Sequence, residues 1–144
     1  MSLFQSLTKE EQITLFNEAK MTIVCTHNKN GTIHAIPIWF RYGDDEFFFI
    51  TFKKSRKLAN LKRDNTVSMS IMTEGSGDVK SKIALVYGKA EINVIPDEEL
   101  ESVSSWILDK YLSKKEAEQM LADFRHLGHF LIKVKPDKII AYYP

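Results

Sequence analysis

Hydrophobic residues change their spacing several times along the chain, and each change predicts a different element. Thr8 followed by Glu11 forms a capping-box pattern, and apolar residues then recur at helical spacing, which predicts a helix over about residues 9–20. From there the pattern becomes extended, and two apolar runs, 21–26 and 32–40, flank a turn-forming Asn-Lys-Asn-Gly cluster. The first part of the chain is therefore predicted to be a helix followed by a β-hairpin.

The middle of the chain alternates between strand and helix patterns. Residues 46–51 contain three phenylalanines and an isoleucine in succession, which is typical of a strand covered on both faces. Leucines spaced by three then predict a short helix with a basic last turn, and regular alternation over 66–72 predicts the next strand. A long strand is expected over about 81–94, with Gly88 marking a bend or a bulge.

The last part of the chain is predicted to contain two helices and two strands. Pro96 and the acidic residues after it open one helix, and a capping-box pattern at Ser113 opens another. Gly128 is expected to end the second helix, before closing strands at 129–134 and 138–143.

Six or seven strands in hairpin order, with helices inserted at a few points, predict a mainly β fold with α+β elements. The absence of regular strand-helix alternation favours an antiparallel sheet closed into a barrel with flanking helices over a doubly wound fold. The sequence contains no internal repeat, low-complexity tract or linker, so residues 1–144 are expected to form a single domain.

The charge balance argues against two classes of partner. Lysine and arginine number 20 against 19 aspartates and glutamates, so the chain lacks the long-range positive field of a nucleic-acid binder or a polybasic membrane protein. No run approaches the roughly 20 apolar residues that span a bilayer, and the first residues do not resemble a leader peptide. A soluble, cytoplasmic protein that binds neither nucleic acid nor membrane is expected.

Cysteine and histidine give little indication of a metal or a nucleophile. Cys25 is the single cysteine and lies in an apolar strand, where a free thiol behaves as a small hydrophobic side chain and fits a reducing compartment. His126 and His129 flank Gly128, but no third ligand lies near them in sequence, so no metal site is expected.

The segment Thr-Phe-Lys-Lys-Ser-Arg-Lys at 51–57 is the most informative part of the sequence. Ser55 occupies the expected N-cap of the short helix, and four cations surround it: Lys53, Lys54, Arg56 and Lys57. A helix N-terminus attracts anions and disfavours cations, by about 0.3–1 kcal/mol per exposed charge. This placement is unfavourable unless an anion such as a phosphate binds there, although a solvated basic patch is the alternative interpretation.

The segment from 32 to 71 resembles the pyridoxamine phosphate oxidase-like family of FMN-binding split β-barrels. The most specific pattern is an aromatic-rich strand, then T-x-x-x-S-R-K, then N-L-x-R-D-N. The likeness extends to A-L-V-Y-G-K-A-E-I at 84–92 and to K-V-K-P-D-K-I-I-A-Y at 133–142, and so covers nearly all of the chain after Met21.

The resemblance implies a homodimer with two FMN sites at the subunit interface. The residues that it places around the FMN phosphate are Thr51, Ser55, Arg56 and Lys57, with Ile50 next to Thr51. The isoalloxazine ring would lie along Ile36, Pro37, Ile38 and Trp39. For Trp39, packing in the core is the alternative role.

Departures from the family pattern limit the expected activity. Ala35 and Phe40 stand where true pyridoxamine phosphate oxidases carry an arginine and a lysine, and Ile83 stands near the position of a glutamine, so vitamin B6 oxidation is not expected. The sequence also resembles the branch of the family that uses a deazaflavin coenzyme. Because the flavin itself supplies the chemistry, no catalytic base or nucleophile is assigned, and the expected function is an oxidoreductase or a non-catalytic flavin-binding protein.

Overall fold

The computed structural model describes residues 4–144, so the first three residues of the predicted domain lie outside the described part. Seven strands and four α-helices make up the described chain, together with two short 3₁₀ helices at Asp97–Glu99 and Arg125–Leu127. The helices are α1 Lys9–Glu18, α2 Arg56–Arg63, α3 Leu100–Leu108 and α4 Lys114–Phe124. The strands are β1 Thr22–His27, β2 Ile33–Ile38, β3 Arg41–Gly43, β4 Glu46–Phe52, β5 Thr66–Thr73, β6 Lys82–Ile95 and β7 His129–Tyr142.

All strand pairs are antiparallel, and the seven strands form one sheet in the order β2-β1-β5-β6-β7-β4-β3. Strands β2 and β3 are consecutive in the chain but form the two opposite edges of this sheet. Residues 39 and 40 therefore cross from one edge to the other, and the barrel is split along that line. The predicted mainly β split barrel with flanking helices is confirmed, whereas the full closure expected from strand order alone does not occur.

Local sequence signals account for where the helices begin. The Thr8 and Ser113 side chains each accept a hydrogen bond from the backbone N–H three residues later, and a glutamate at that position reaches back to the cap. Ser55 caps α2 in the same way but without the reciprocal acidic side chain. The predicted starts of α1, α2 and α4 are therefore confirmed.

Strand β4 is covered on both faces, as its unbroken apolar run predicted. Phe47 and Phe49 are fully buried inside the barrel with Phe16 and Ile132. On the other face, Phe48 packs edge-on against Trp106 of α3 at a centroid distance of 5.1 Å. Helices α3 and α4 thus build a second apolar layer outside the barrel, over the face of β4 that would otherwise be exposed.

Strand β7 corrects the prediction of two closing strands. Residues 129–142 form one continuous strand that pairs with β6 over its whole length and with β4 over its first half. The register shifts opposite Gly88, where Gly88 pairs with Pro136 and Tyr87 pairs with Lys138. Asp137 is the extra residue of a β-bulge, so the Pro-Asp-Lys sequence that suggested a turn bends the strand without ending it.

Gly88 is required at this bulge because the β7 backbone passes directly over it. A β-carbon added at Gly88 would overlap the carbonyl oxygen of Lys135 and crowd Pro136. We therefore expect Gly88→Ala to lower the free energy of unfolding by about 1–3 kcal/mol. Urea denaturation checks this value against Lys89→Ala, an exposed neighbour whose replacement is expected to change stability by less than about 0.5 kcal/mol. Equal stability of the two variants would contradict the assigned role of the glycine.

None of the helices within residues 4–144 has both the length and the apolar character that crossing a membrane requires.

Candidate functional site

A cavity of about 420 Å³ lies between the sheet and the two outer helices. One side, which we call the sheet-side wall, consists of Pro37, Ile38, Trp39, Ile50 and Lys57. The opposite side, which we call the helix wall, consists of Ile107 and Leu108 of α3 and Met120, Leu121 and Phe124 of α4. Met21, Phe52 and His129 complete the lining. The cavity is of the size and apolar character that small-molecule sites in proteins usually have.

The sheet-side wall is made entirely of residues that the sequence assigned to cofactor binding. Three of them follow one another at the end of β2 and in the crossing segment, Ile50 lies on β4, and Lys57 lies in the first turn of α2. The fold thus brings together two parts of the chain whose association the resemblance implied.

The other four assigned residues lie outside the cavity lining. Thr51 is buried, and its hydroxyl lies 2.6 Å from that of Ser55, so the end of strand β4 and the N-cap of α2 are joined directly. The Ser55 hydroxyl also accepts a hydrogen bond of 3.2 Å from the Leu58 N–H. Arg56 is exposed and Ile36 is half-buried. Thr51, Ser55 and Arg56 therefore lie around the start of α2. Ile36 belongs neither to this group nor to the cavity lining.

The start of α2 carries an uncompensated positive charge. Lys53, Lys54, Arg56 and Lys57 lie within one turn of Ser55, and the first turn holds no acidic residue. Within residues 4–144, the carboxylates that form ion pairs are all bound to other cations. Lys57 is half-buried, and this burial lowers the pKa of its ammonium group. The helix dipole adds to the same field, so this corner of the cavity favours an anion.

The crossing segment is held by the loop that follows α3. Trp39 stacks on Tyr111 with ring centroids 4.5 Å apart and planes inclined by 5°. The Tyr111 hydroxyl accepts a hydrogen bond of 3.0 Å from the Phe40 N–H and donates one of 2.8 Å to the Phe40 carbonyl. Trp39 therefore both packs against the protein and lines the cavity, and the two roles weighed for it are compatible.

Lys110 also holds the crossing segment, residues 39 and 40, in place. Its ammonium group donates to the carbonyls of Phe16 and Phe40 at 3.4 and 3.3 Å and lies 4.0 Å from the centre of the Phe40 ring. Burial, together with the positive charges of Arg41 and Lys20, lowers the pKa of Lys110 from 10.5 to about 8. The residue is thus a charged anchor in a setting that disfavours its charge.

Because the pKa of Lys110 is lowered, the free energy of unfolding should change with pH in the alkaline range. Between about pH 8 and 10.5 the Lys110 side chain stays protonated in the unfolded chain but loses its proton in the folded chain. The contribution of Lys110 to the free energy of unfolding therefore rises with pH. We expect wild-type protein to gain stability relative to Lys110→Met across that window. Urea midpoints of both proteins at either end of the window measure this effect, and parallel pH profiles would contradict it.

His129 is the second polar group of the cavity. The side chain is 5% exposed, and its Nδ1 atom is buried without a hydrogen-bond partner in the described chain. Phe52 packs edge-on against the imidazole at 5.3 Å, and burial lowers the pKa of His129, so the ring is neutral at pH 7.

Residues 4–144 hold no cluster of three histidine, cysteine, aspartate or glutamate side chains suited to a metal ion. Burial raises the pKa of the Cys25 thiol, as for an unreactive cysteine.

The helix wall was not anticipated from the sequence. Apolar residues at 107–108 and at 120, 121 and 124 were consistent with amphipathic helices, but their spacing gave no indication that the shared face borders a cavity. Trp106 of α3 contacts Phe48 and lies beneath the Arg41 guanidinium at 5.2 Å.

The face of the sheet that points away from the barrel core is also apolar. Strand register places one row of residues across five strands, which we call the outer row: Pro37, Ile23, Ser70, Leu85 and Ile140. Ile23 and Ile140 are among the exposed large hydrophobic residues of the chain. Pro37 belongs both to this row and to the cavity lining, so the apolar face reaches the mouth of the cavity.

Comparisons with known proteins agree with this architecture. The profile of a family described as pyridoxamine 5'-phosphate oxidase matches residues 8–141. Comparison with curated protein sequences gives no match.

Among solved structures, the fold is similar to that of the conserved hypothetical protein Rv2991 from Mycobacterium tuberculosis. That match has a TM-score of 0.81 at 20% identity and covers 99% of this chain and 89% of the other. An FAD-binding protein from Mesorhizobium loti gives a TM-score of 0.66 at 17% identity, covering 97% of both chains. A protein described as F420 reductase gives 0.68 at 20% identity, covering 88% of this chain and 93% of the other.

Proposed function

Because the chain belongs to the pyridoxamine 5'-phosphate oxidase family, whose profile spans residues 8–141, we propose that it is a cytoplasmic flavin-binding oxidoreductase with FMN as its cofactor. The observation that carries this proposal is the junction of the cationic start of α2 with an apolar cavity. FMN has the same two parts, a phosphate and a flat, largely apolar ring system. The donors present therefore fit the cofactor.

The residues at the start of α2 would hold the phosphate. The Ser55 hydroxyl, the Arg56 guanidinium, the Lys57 ammonium and the first N–H groups of α2 are all hydrogen-bond donors that belong to the cap and first turn of this helix. The Thr51 hydroxyl holds Ser55 in place across a 2.6 Å contact, which lowers the entropy cost of ordering the site.

The sheet-side wall would hold the ring system. Pro37, Ile38, Trp39 and Ile50 offer an apolar surface fixed by strand pairing and by the stack of Trp39 on Tyr111. When bound, a flavin supplies hydride or single-electron transfer to a small molecule. The protein then contributes the orientation of the ring, a positive charge near the phosphate and the exclusion of water by the helix wall.

We further propose that the protein is a homodimer formed through the outer row. Apart from Ser70 the row is apolar, and it is continuous across five strands and adjoins the cavity at Pro37. A second copy docked there would bury this face and lie against the cavity mouth, so that the cofactor would bind at the subunit interface.

A deazaflavin coenzyme is the second candidate cofactor. The F420 reductase noted above shares the fold, and the cations around Ser55 suit the phosphate of either coenzyme. Oxidation of pyridoxamine phosphate is not proposed, because Ala35 and Phe40 provide none of the charge found at those positions in the true oxidases.

The absorption spectrum of the untreated protein, followed by titration with FMN, tests the proposal. We expect a yellow protein, or a colourless one that quenches FMN fluorescence on binding. A protein that does neither does not bind FMN, and the same titration with the deazaflavin coenzyme then decides between the two cofactors. Tight FMN binding without oxidation of NADH or NADPH by any acceptor would identify a non-catalytic flavin-binding protein.

A further inference from the structure

The helix wall differs in chemistry from the rest of the cavity. Its five residues, from Ile107 to Phe124, are all apolar. Lys57 belongs to the sheet-side wall and is assigned to the phosphate, and the lining contains no carboxylate or guanidinium group. A charged group placed against the helix wall would lose its hydration without gaining a partner, which is strongly unfavourable. The molecule that fits this side is therefore uncharged.

His129 gives this apolar space one fixed polar point. It begins β7 and pairs with Phe52 of β4 on one side and with Ile95 of β6 on the other, so two neighbouring strands hold its backbone. Its Nδ1 is enclosed by the protein without a partner within residues 4–144, whereas its Nε2 has no hydrogen bond in this part of the chain and is not enclosed, so Nε2 is the nitrogen that a molecule in the cavity can reach.

The protonation state of His129 narrows the kind of partner it can take. Burial lowers the pKa of the imidazole, so the ring is neutral at pH 7 and offers one N–H donor and one nitrogen acceptor. Asp97 opposes this shift and Arg125 adds to it, and neither of them lines the cavity. A hydroxyl or carbonyl group on a ligand suits such a ring, whereas the neutral ring supplies no positive charge to balance a carboxylate or phosphate.

We propose that the helix wall and His129 form a substrate subsite for an uncharged, largely apolar molecule with a hydroxyl or carbonyl group that hydrogen-bonds to the His129 imidazole. The inference rests on the proposed function only in assigning the sheet-side wall to the flavin ring. It deepens that function by naming the class of substrate, and it makes His129 a specificity-determining residue.

Three naphthalene probes separate the contributions of shape, polarity and charge. Equilibrium dialysis of FMN-loaded and cofactor-free protein against naphthalene, 2-naphthol and naphthalene-2-sulfonate measures binding without turnover. We expect the loaded protein to bind 2-naphthol at least about tenfold more tightly than the sulfonate, because the sulfonate cannot be desolvated at the helix wall. Sulfonate binding as tight as that of 2-naphthol, or loss of 2-naphthol binding when FMN is loaded, would overturn the proposal.

Two substitutions at one position test the role of the histidine. His129→Phe keeps the ring and its packing on Phe52 but removes both nitrogens, and we expect it to weaken 2-naphthol binding about tenfold while leaving naphthalene binding unchanged. Because an unpartnered buried atom is removed, the melting temperature of the free protein should not fall. His129→Gln, which keeps a donor and an acceptor, should retain most of the affinity for 2-naphthol.

The outcomes distinguish this inference from the proposed function. If FMN does not bind at all, the flavin assignment fails, and the three probes on cofactor-free protein still decide the subsite. If FMN binds and His129→Phe weakens 2-naphthol and naphthalene equally, or neither of them, His129 is a packing residue and the subsite proposal is wrong.

Discussion

The double variant Arg56→Ala/Lys57→Ala is expected to bind FMN at least about 100-fold more weakly than the wild-type protein. In the proposed function each side chain makes a charged hydrogen bond to the FMN phosphate, and such a bond contributes about 1.5–3 kcal/mol. Loss of both at the lower value corresponds to about two orders of magnitude in the dissociation constant. Neither residue belongs to the buried core, so the fold should persist. Quenching of FMN fluorescence measures the dissociation constant directly.

The chain offers a closely matched control at the start of α4. Lys114 and Lys115 also follow a serine N-cap in the first turn of a helix, and both are exposed. There, however, Glu116 completes the capping box, and neither lysine lines the cavity of the candidate site. Lys114→Ala/Lys115→Ala removes the same charge and should leave the affinity for FMN within about twofold of wild type. An equal loss in both variants would mean that net charge, not the α2 site, governs binding.

Most element positions could be predicted because the relevant signals are local. The Thr8 and Ser113 capping boxes act over three residues, and alternation over Val67, Met69 and Ile71 places these side chains in the barrel core. The phenylalanine run of β4 predicted coverage on both faces, and the helices that provide this coverage lie more than 50 residues further along the chain. The pattern indicated that something packs there without indicating what.

Two features of the sheet depended on interactions between distant segments. Pro136 and Asp137 are a common turn pair, and they form a bulge here only because β6 places Gly88 opposite them, where its missing side chain lets the two backbones approach. Closure of the barrel likewise depends on whether β2 and β3 meet. Nothing in either strand's own sequence determines that, and the edges stay apart.

The candidate site likewise has one part that local sequence motifs predict and one part that depends on distant segments of the chain. The sheet-side wall and the residues proposed to hold the phosphate lie in two continuous segments, 36–39 and 50–57, that carry recognisable motifs, and so they could be predicted from the sequence. The helix wall and His129 come from three separate elements whose residues are ordinary core types. Only their arrangement around one cavity gives them a role, and sequence spacing does not record that arrangement.

Ile23→Glu is expected to convert the proposed dimer into a folded monomer. Ile23 lies between Pro37 and Ser70 in the outer row and is 43% exposed in the single chain, so a glutamate there remains hydrated in the monomer. In a two-fold symmetric dimer the same position occurs twice in one interface, and both carboxylates would lose water without a partner. We expect the dimer dissociation constant to rise by at least about 100-fold, as measured by sedimentation equilibrium. FMN affinity should fall with it, because the cofactor is placed at the subunit interface.

Ile13→Glu separates this effect from a general response to an added charge. Ile13 lies on α1, outside the outer row, and its 37% exposure is close to that of Ile23, so the two substitutions are matched in residue type and in cost to the isolated chain. The Ile13 variant should remain dimeric and keep its affinity for FMN. If Ile23→Glu also stays dimeric, the outer row is not the interface. If it becomes monomeric yet binds FMN as tightly as wild type, one chain holds the cofactor alone, and the outer row serves only for association.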